Sequence, residues 1–212
     1  VFRTKNRPIA SGKVSVKLAI IYSMILCFLA LLVLLNFNLF TIILALGSMP
    51  LAFTYPLMKR FTYWPQLFLG ITFNYGLILG WTAIKGQIDL IPIVFYFGAI
   101  FWTLGYDTIY GFQDLKDDEI IGLKSTSIKF KKRPNALLIS CYLIFFTSLI
   151  IIANYMNFNN LSLVIFIIIL IHMFYFQIRK LNINDEENCL KIFKSNNMLG
   201  LIVFSALIAG KL

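Results

Sequence analysis

A chain of 212 residues that is 59% hydrophobic and 13% charged, with a mean hydropathy of +0.83, cannot take water as its main solvent. The formal charge of +10 does not call for nucleic acid, which is excluded as a partner, because the Lys and Arg residues flank apolar runs where membrane topology accounts for them. Cys27, Cys141 and Cys189 are widely separated, so neither a disulfide framework nor a metal cluster is expected, and all three read as packing residues.

The N-terminal stretch is basic and polar, with no cleavage pattern after an apolar region, and is not read as a signal peptide. A membrane-crossing helix needs about 20 mostly apolar residues, and about seven such runs follow. The first is predicted over 16–35 and, after a polar break at 36–38, the second over 39–58, stopped by Lys59 and Arg60. The third covers 64–84, the polar connection 85–89 follows, and the fourth covers 90–112. Pro134 opens the fifth, which reaches 153; the sixth covers 161–178 and the seventh 198–209. Each run is about twice the length of a barrel strand and lacks its alternation, so the fold class is all-α, a polytopic transmembrane helix bundle. No linker and no repeat of fixed period divides the chain, and 1–212 reads as a single membrane-embedded domain. Of the 19 Lys and Arg, only Lys85 and Lys211 fall on one side; by the positive-inside rule the other, basic side is cytoplasmic.

Carboxylates are costly in so apolar a chain, and Asp107, Asp114, Asp117, Asp118 and Glu119 gather at the basic end of the fourth span. If that segment stays helical, Asp107, Asp114 and Asp118 share one face at about 100° per residue. Like charges on one stripe repel unless something positive sits among them, and the hard oxygen donors suit Mg²⁺ better than Zn²⁺. The plain alternative is a solvated acidic helix end. At the same membrane face, Tyr55 and Lys59 share a helix side beside Arg60, a set able to hold a diphosphate or to serve as an interfacial stop signal. Further basic groups come from 3–7 and from the Lys124-Ser-Thr turn, whereas no phosphate-binding glycine loop occurs. His172, the only histidine, lies mid-helix without an identifiable partner and reads as a packed or hydrogen-bonded residue, not a catalyst.

Four segments carry a family resemblance: Arg3-Thr-Lys-Asn-Arg-Pro, Tyr55-Pro-Leu-Met-Lys-Arg with Trp64-Pro-Gln, Tyr106-Asp-Thr-Ile-Tyr through Asp114 to Lys124-Ser-Thr, and Cys189 through Asn196-Asn-Met-Leu-Gly. In these the chain resembles the UbiA family of intramembrane aromatic prenyltransferases, and within it those acting on 4-hydroxybenzoate in ubiquinone biosynthesis. The resemblance implies that Asp114 and Asp118 are the second Asp-x-x-x-Asp motif, binding Mg²⁺ and prenyl diphosphate. It implies that Tyr55 and Lys59 lie near the diphosphate, that Arg60 and Lys124 assist substrate binding, and that Asp107 stands near the reacting centre. The expected activity is polyprenyl transfer to the aromatic ring of 4-hydroxybenzoate, and the expected setting is a bacterial inner membrane, with the isoprenoid tail in lipid.

One departure is plain. The family's first Asn-Asp-x-x-Asp-x-x-x-Asp motif precedes the Arg-Thr-Lys-Asn-Arg-Pro stretch, and only Val1 and Phe2 do so here. The expectation is therefore a chain incomplete at its N-terminus, two helices short of the family's nine, and inactive on its own. Three other readings stay open: a sibling transferase with a naphthoate, haem or chlorophyll-precursor acceptor, a non-catalytic remnant, and a transporter with Asp107 and Asp114 along an ion path.

Overall fold

The computed structural model describes residues 6–211; Arg3 and Lys5 of the basic N-terminal stretch lie outside the described residues. Within them every regular element is helical. In chain order these are α1 (Val16–Leu34), α2 (Leu39–Thr54), α3 (Met58–Phe61), α4 (Pro65–Phe73), α5 (Gly76–Lys85), α6 (Leu90–Gly111), α7 (Leu115–Ile121), α8 (Thr126–Lys129), α9 (Pro134–Tyr155), α10 (Asn160–Leu170) and α11 (Glu186–Ala209). Short 3-10 turns occupy Tyr55–Leu57 and Phe112–Asp114, and a π-helical stretch occupies Ile171–Arg179. Together they make 7 helical rods long and apolar enough to cross a membrane, and the chain is an integral, multi-pass membrane protein.

Local chemistry sets the ends. Ser15, Asn38 and Asn159 cap α1, α2 and α10 by accepting first-turn amides, and Pro65 and Pro134 open α4 and α9, where no intrahelical donor is lost. Three departures from the expected spans have local causes. The third rod is interrupted after α4, where Asn74 Nδ2 donates to the carbonyls of Gly70 and Ala99 and to Thr103 Oγ1, at 2.9, 3.2 and 2.7 Å. The seventh begins at Glu186 instead of 198, because Asp185 caps a polar first half that hydropathy does not register. The sixth ends in π-helix rather than α-helix.

The tightest packing joins α6 to α9. Tyr142 crosses at Gly105, where a Cβ would stand 2.5 Å from the ring's Cε1, and Ser148 fills the space beside Gly98. Around this seam Leu104, Ile109, Phe145, Leu149, Phe166, Ile169 and Leu199 are buried. Cys141 and Cys189 are buried as expected of packing residues, but Cys27 is exposed, since α1 has no buried residue.

The two ends of the bundle are joined separately. At the basic end the Lys124 N–H donates to the Lys59 carbonyl at 2.9 Å. At the opposite end Asn38 Nδ2 donates to the Thr82 carbonyl at 2.8 Å, and the Lys211 ammonium to the Met156 carbonyl at 2.6 Å. Alternate connections thus lie at opposite ends, as the distribution of Lys and Arg requires.

Candidate functional site

At the basic end the second rod meets the fourth. Lys59, in α3, sends its ammonium to within 3.5 Å of Asp118 Oδ2 in α7; the Asp118 side chain is 4% exposed and that of Lys59 43%. Asp107, in the last turns of α6, is within electrostatic reach of the same ammonium, and the Tyr55 phenol is within reach of Asp107. Asp114 and Asp117 lie close enough to Asp118 to act on its charge. The structure therefore brings together Tyr55, Lys59, Asp107, Asp114 and Asp118, and supplies in Lys59 one positive charge among the carboxylates. Arg60 is exposed beside them.

The expected straight acidic stripe is bent. The 3-10 turn at Phe112–Asp114 advances about 120° per residue instead of 100°, so Asp118 turns inward and becomes buried while Asp114 stays half-buried. Among the described residues no three His, Cys, Asp or Glu side chains converge as a ready-made metal cage. Lys124 faces outward: its ammonium donates to the Phe61 carbonyl at 3.4 Å and stands 5.7 Å from the centre of the Tyr63 ring. The next three residues turn in. Thr126 N–H donates to Gln66 Oε1 at 3.0 Å, Thr126 Oγ1 pairs with Thr108 Oγ1 at 2.6 Å, and Ser127 Oγ donates to the Thr108 carbonyl at 2.8 Å.

Deeper in the bundle, between α4, α6 and α11, lies a cavity of about 360 Å³. Phe73, Trp102, Tyr106 and Phe193 give it aromatic walls, and Asn74, Thr103 and Asn196 give it polar groups. Tyr106 immediately precedes Asp107, so the cavity adjoins the charged cluster. Sequence reasoning did not single out Trp102, Asn74 or Thr103. The available signal was polar side chains inside apolar runs, which have to find partners. His172 has the partner that the sequence alone did not identify: its Nδ1 meets Gln177 Nε2 at 3.2 Å.

A bundle of membrane-crossing rods with a cluster of carboxylates and a lysine at one end and an aromatic cavity beside it defines an integral membrane protein of the polytopic helical class. Residues 1–203 match the UbiA prenyltransferase family, and the chain belongs to that family. It is 42% identical over 217 residues to the human protein named 4-hydroxybenzoate polyprenyltransferase, mitochondrial, and 41% identical over 213 residues to the protein of that name from Bos taurus, covering 100% of this chain in each case. It spans 57% of the length of each. With 4-hydroxybenzoate geranyltransferase 2 of Lithospermum erythrorhizon it shares 37% identity over 213 residues, 100% of this chain and 69% of that protein. In fold it is similar to the apo structure of a UbiA homologue from Aeropyrum pernix K1, with a TM-score of 0.79 at 21% identity, covering 99% of this chain and 78% of that one.

Proposed function

We propose that this chain serves the transfer of a polyprenyl group from a prenyl diphosphate to the aromatic ring of 4-hydroxybenzoate, with Mg²⁺. The observation that carries the reading is the meeting of Lys59 with Asp118, with Asp107 in reach of the same ammonium and its chain neighbour Tyr106 in the wall of an aromatic cavity. The acceptor is common to the names of the mammalian and plant relatives, which differ in the prenyl group.

Asp114 and Asp118 are the residues that would hold the metal. Oxygen donors with no His or Cys joining them suit Mg²⁺, an ion that keeps waters and takes phosphate oxygens beside one or two carboxylates. When bound, the metal supplies neutralisation of the diphosphate's charge, which favours departure of the leaving group. Lys59 offers a point charge to the same diphosphate, the Tyr55 phenol donates to it, and Arg60 and Lys124 attract the anion at the rim. Breaking the allylic carbon–oxygen bond leaves an allylic cation; the ring carbon beside the phenolic oxygen forms the new bond, and loss of the ring proton restores aromaticity. Asp107 orients the acceptor or takes that proton. The aromatic walls exclude water and favour the cation over their faces. The basic end faces the cytoplasm of a bacterial inner membrane, and the apolar tail leaves between helices into lipid.

Membranes bearing the full protein are expected to prenylate 4-hydroxybenzoate with Mg²⁺ and to stop when the metal is chelated. Asp114→Ala is expected to lose on the order of 100-fold, the scale of removing one preorganised electrostatic group. Turnover that survives chelation, or an undiminished Asp114→Ala rate, overturns the reading.

A further inference from the structure

Four rods contribute to one polar chain in the middle of the bundle. Tyr142 of α9 donates its hydroxyl to Gln177 Oε1 at 2.5 Å. Gln177, in the π-helical stretch, donates from Nε2 to Asn196 Oδ1 of α11 at 2.9 Å and to His172 Nδ1 at 3.2 Å. Asn196 Oδ1 also accepts the indole N–H of Trp102 in α6, at 2.9 Å. The Asn196 amide has one orientation, because its Nδ2 donates to the carbonyls of Ile192 and Phe193 at 3.3 and 3.1 Å. A side-chain amide nitrogen only donates, so His172 Nδ1 accepts and the ring proton resides on Nε2.

The π-helical winding makes this possible. His172 and Gln177 are five residues apart, a spacing that points side chains in different directions on an α-helix but stacks them on a π-helix, where hydrogen bonds run from i to i+5. Such stretches are usually single-turn bulges, and here one extends over 9 residues. Among the described residues no buried side-chain nitrogen or oxygen lacks a partner, so the chain is closed along its length.

Its far end is in the cavity wall. Trp102 and Asn196 both line the cavity next to Asp107. One face of the indole stacks on Phe145, with centroids 4.9 Å apart and planes 23° apart, and Tyr106 meets it edge-on at 5.9 Å. Packing alone sets the tilt of such a ring and leaves it able to slide in its plane, whereas a hydrogen bond to the indole nitrogen fixes that remaining freedom.

We propose that Gln177 and Asn196 are positioning residues, which hold the Trp102 indole in place in the cavity wall so that its aromatic surface is ready before the reacting groups arrive. The kinetic consequence rests on the prenyl-transfer reading; the structural coupling does not. A preset aromatic surface spares the reacting complex the cost of ordering it and serves a planar acceptor or an allylic cation alike.

The test has two arms on the full protein in detergent. With 5-fluorotryptophan incorporated, the Trp102 fluorine signal is assigned by its loss in Trp102→Phe. It is expected to move or broaden in Gln177→Leu, although Gln177 does not touch Trp102. Tyr142→Phe deletes a single hydroxyl and is expected to move the same signal, so the test survives if the Leu variant fails to accumulate. An unmoved signal in the folded variants overturns the proposal. In the kinetic arm, Asn196→Leu is expected to lower kcat/KM for the aromatic acceptor about tenfold and leave KM for the prenyl diphosphate unchanged. It is expected to add nothing in a Trp102→Phe background. Losses that multiply in the double variant overturn the proposal. A fluorine signal that moves in the variants while the wild-type protein transfers no prenyl group overturns the reaction proposed above and still supports the coupling.

Discussion

Gln66 illustrates how much of the site depends on side chains that carry no charge. It is 3% exposed, and its Oε1 is the acceptor for the Thr126 amide, so the Lys124-Ser-Thr turn is a joint between α4 and α6 as much as an anion-attracting surface. Gln66→Leu leaves that amide buried without an acceptor, and a loss of about 1–3 kcal/mol is expected, read as a lower thermal midpoint in detergent. That Lys59, Asp107, Asp114 and Asp118 gather at one end was legible from sequence because charge in an apolar chain is conspicuous, and Tyr55 stood out by its four-residue spacing from Lys59; such clustering survives any error in helix boundaries. Gln66 was legible only as part of a family-like segment. Trp102, Asn74, Tyr142 and Gln177 were not legible as a group, because the role of each is defined by a partner on another rod and pairing is not written in local order.

Elements divide along the same line. The rods themselves could be read from length and hydropathy, since the bilayer imposes both. Their internal irregularities could not: the Asn74 interruption is bonded to Ala99 and Thr103 of α6, and neither the 3-10 turn at Phe112–Asp114 nor the π-helical end of the sixth rod leaves a mark in hydropathy. The seam between α6 and α9 is a further example, because its glycines look unremarkable in sequence. Gly105→Val drives a side chain into the Tyr142 ring, and a destabilisation of about 1–3 kcal/mol is expected from overpacking, measured by thermal aggregation in detergent. Gly80→Ala, where an added Cβ meets nothing within 4 Å, is the matched control and is expected to be near neutral.

For the molecule as a whole, the separation of charge between its ends is the dominant feature. Lys194 and Lys85 are both exposed and lie at opposite ends of the bundle. With a membrane-impermeant maleimide, Lys194→Cys is expected to react only from the cytoplasmic side and Lys85→Cys only from the other; the reverse pattern overturns the proposed sidedness. The contacts that close the site are also far apart along the chain. Gln66 waits for a donor 60 residues later, and Trp102 for an acceptor 94 residues later. A ribosome feeding the chain into a bilayer therefore inserts the rods before α11 while the aromatic cavity still lacks the wall that α11 supplies. Until α11 arrives, the indole N–H of Trp102 is without the Asn196 acceptor that holds it in the folded bundle.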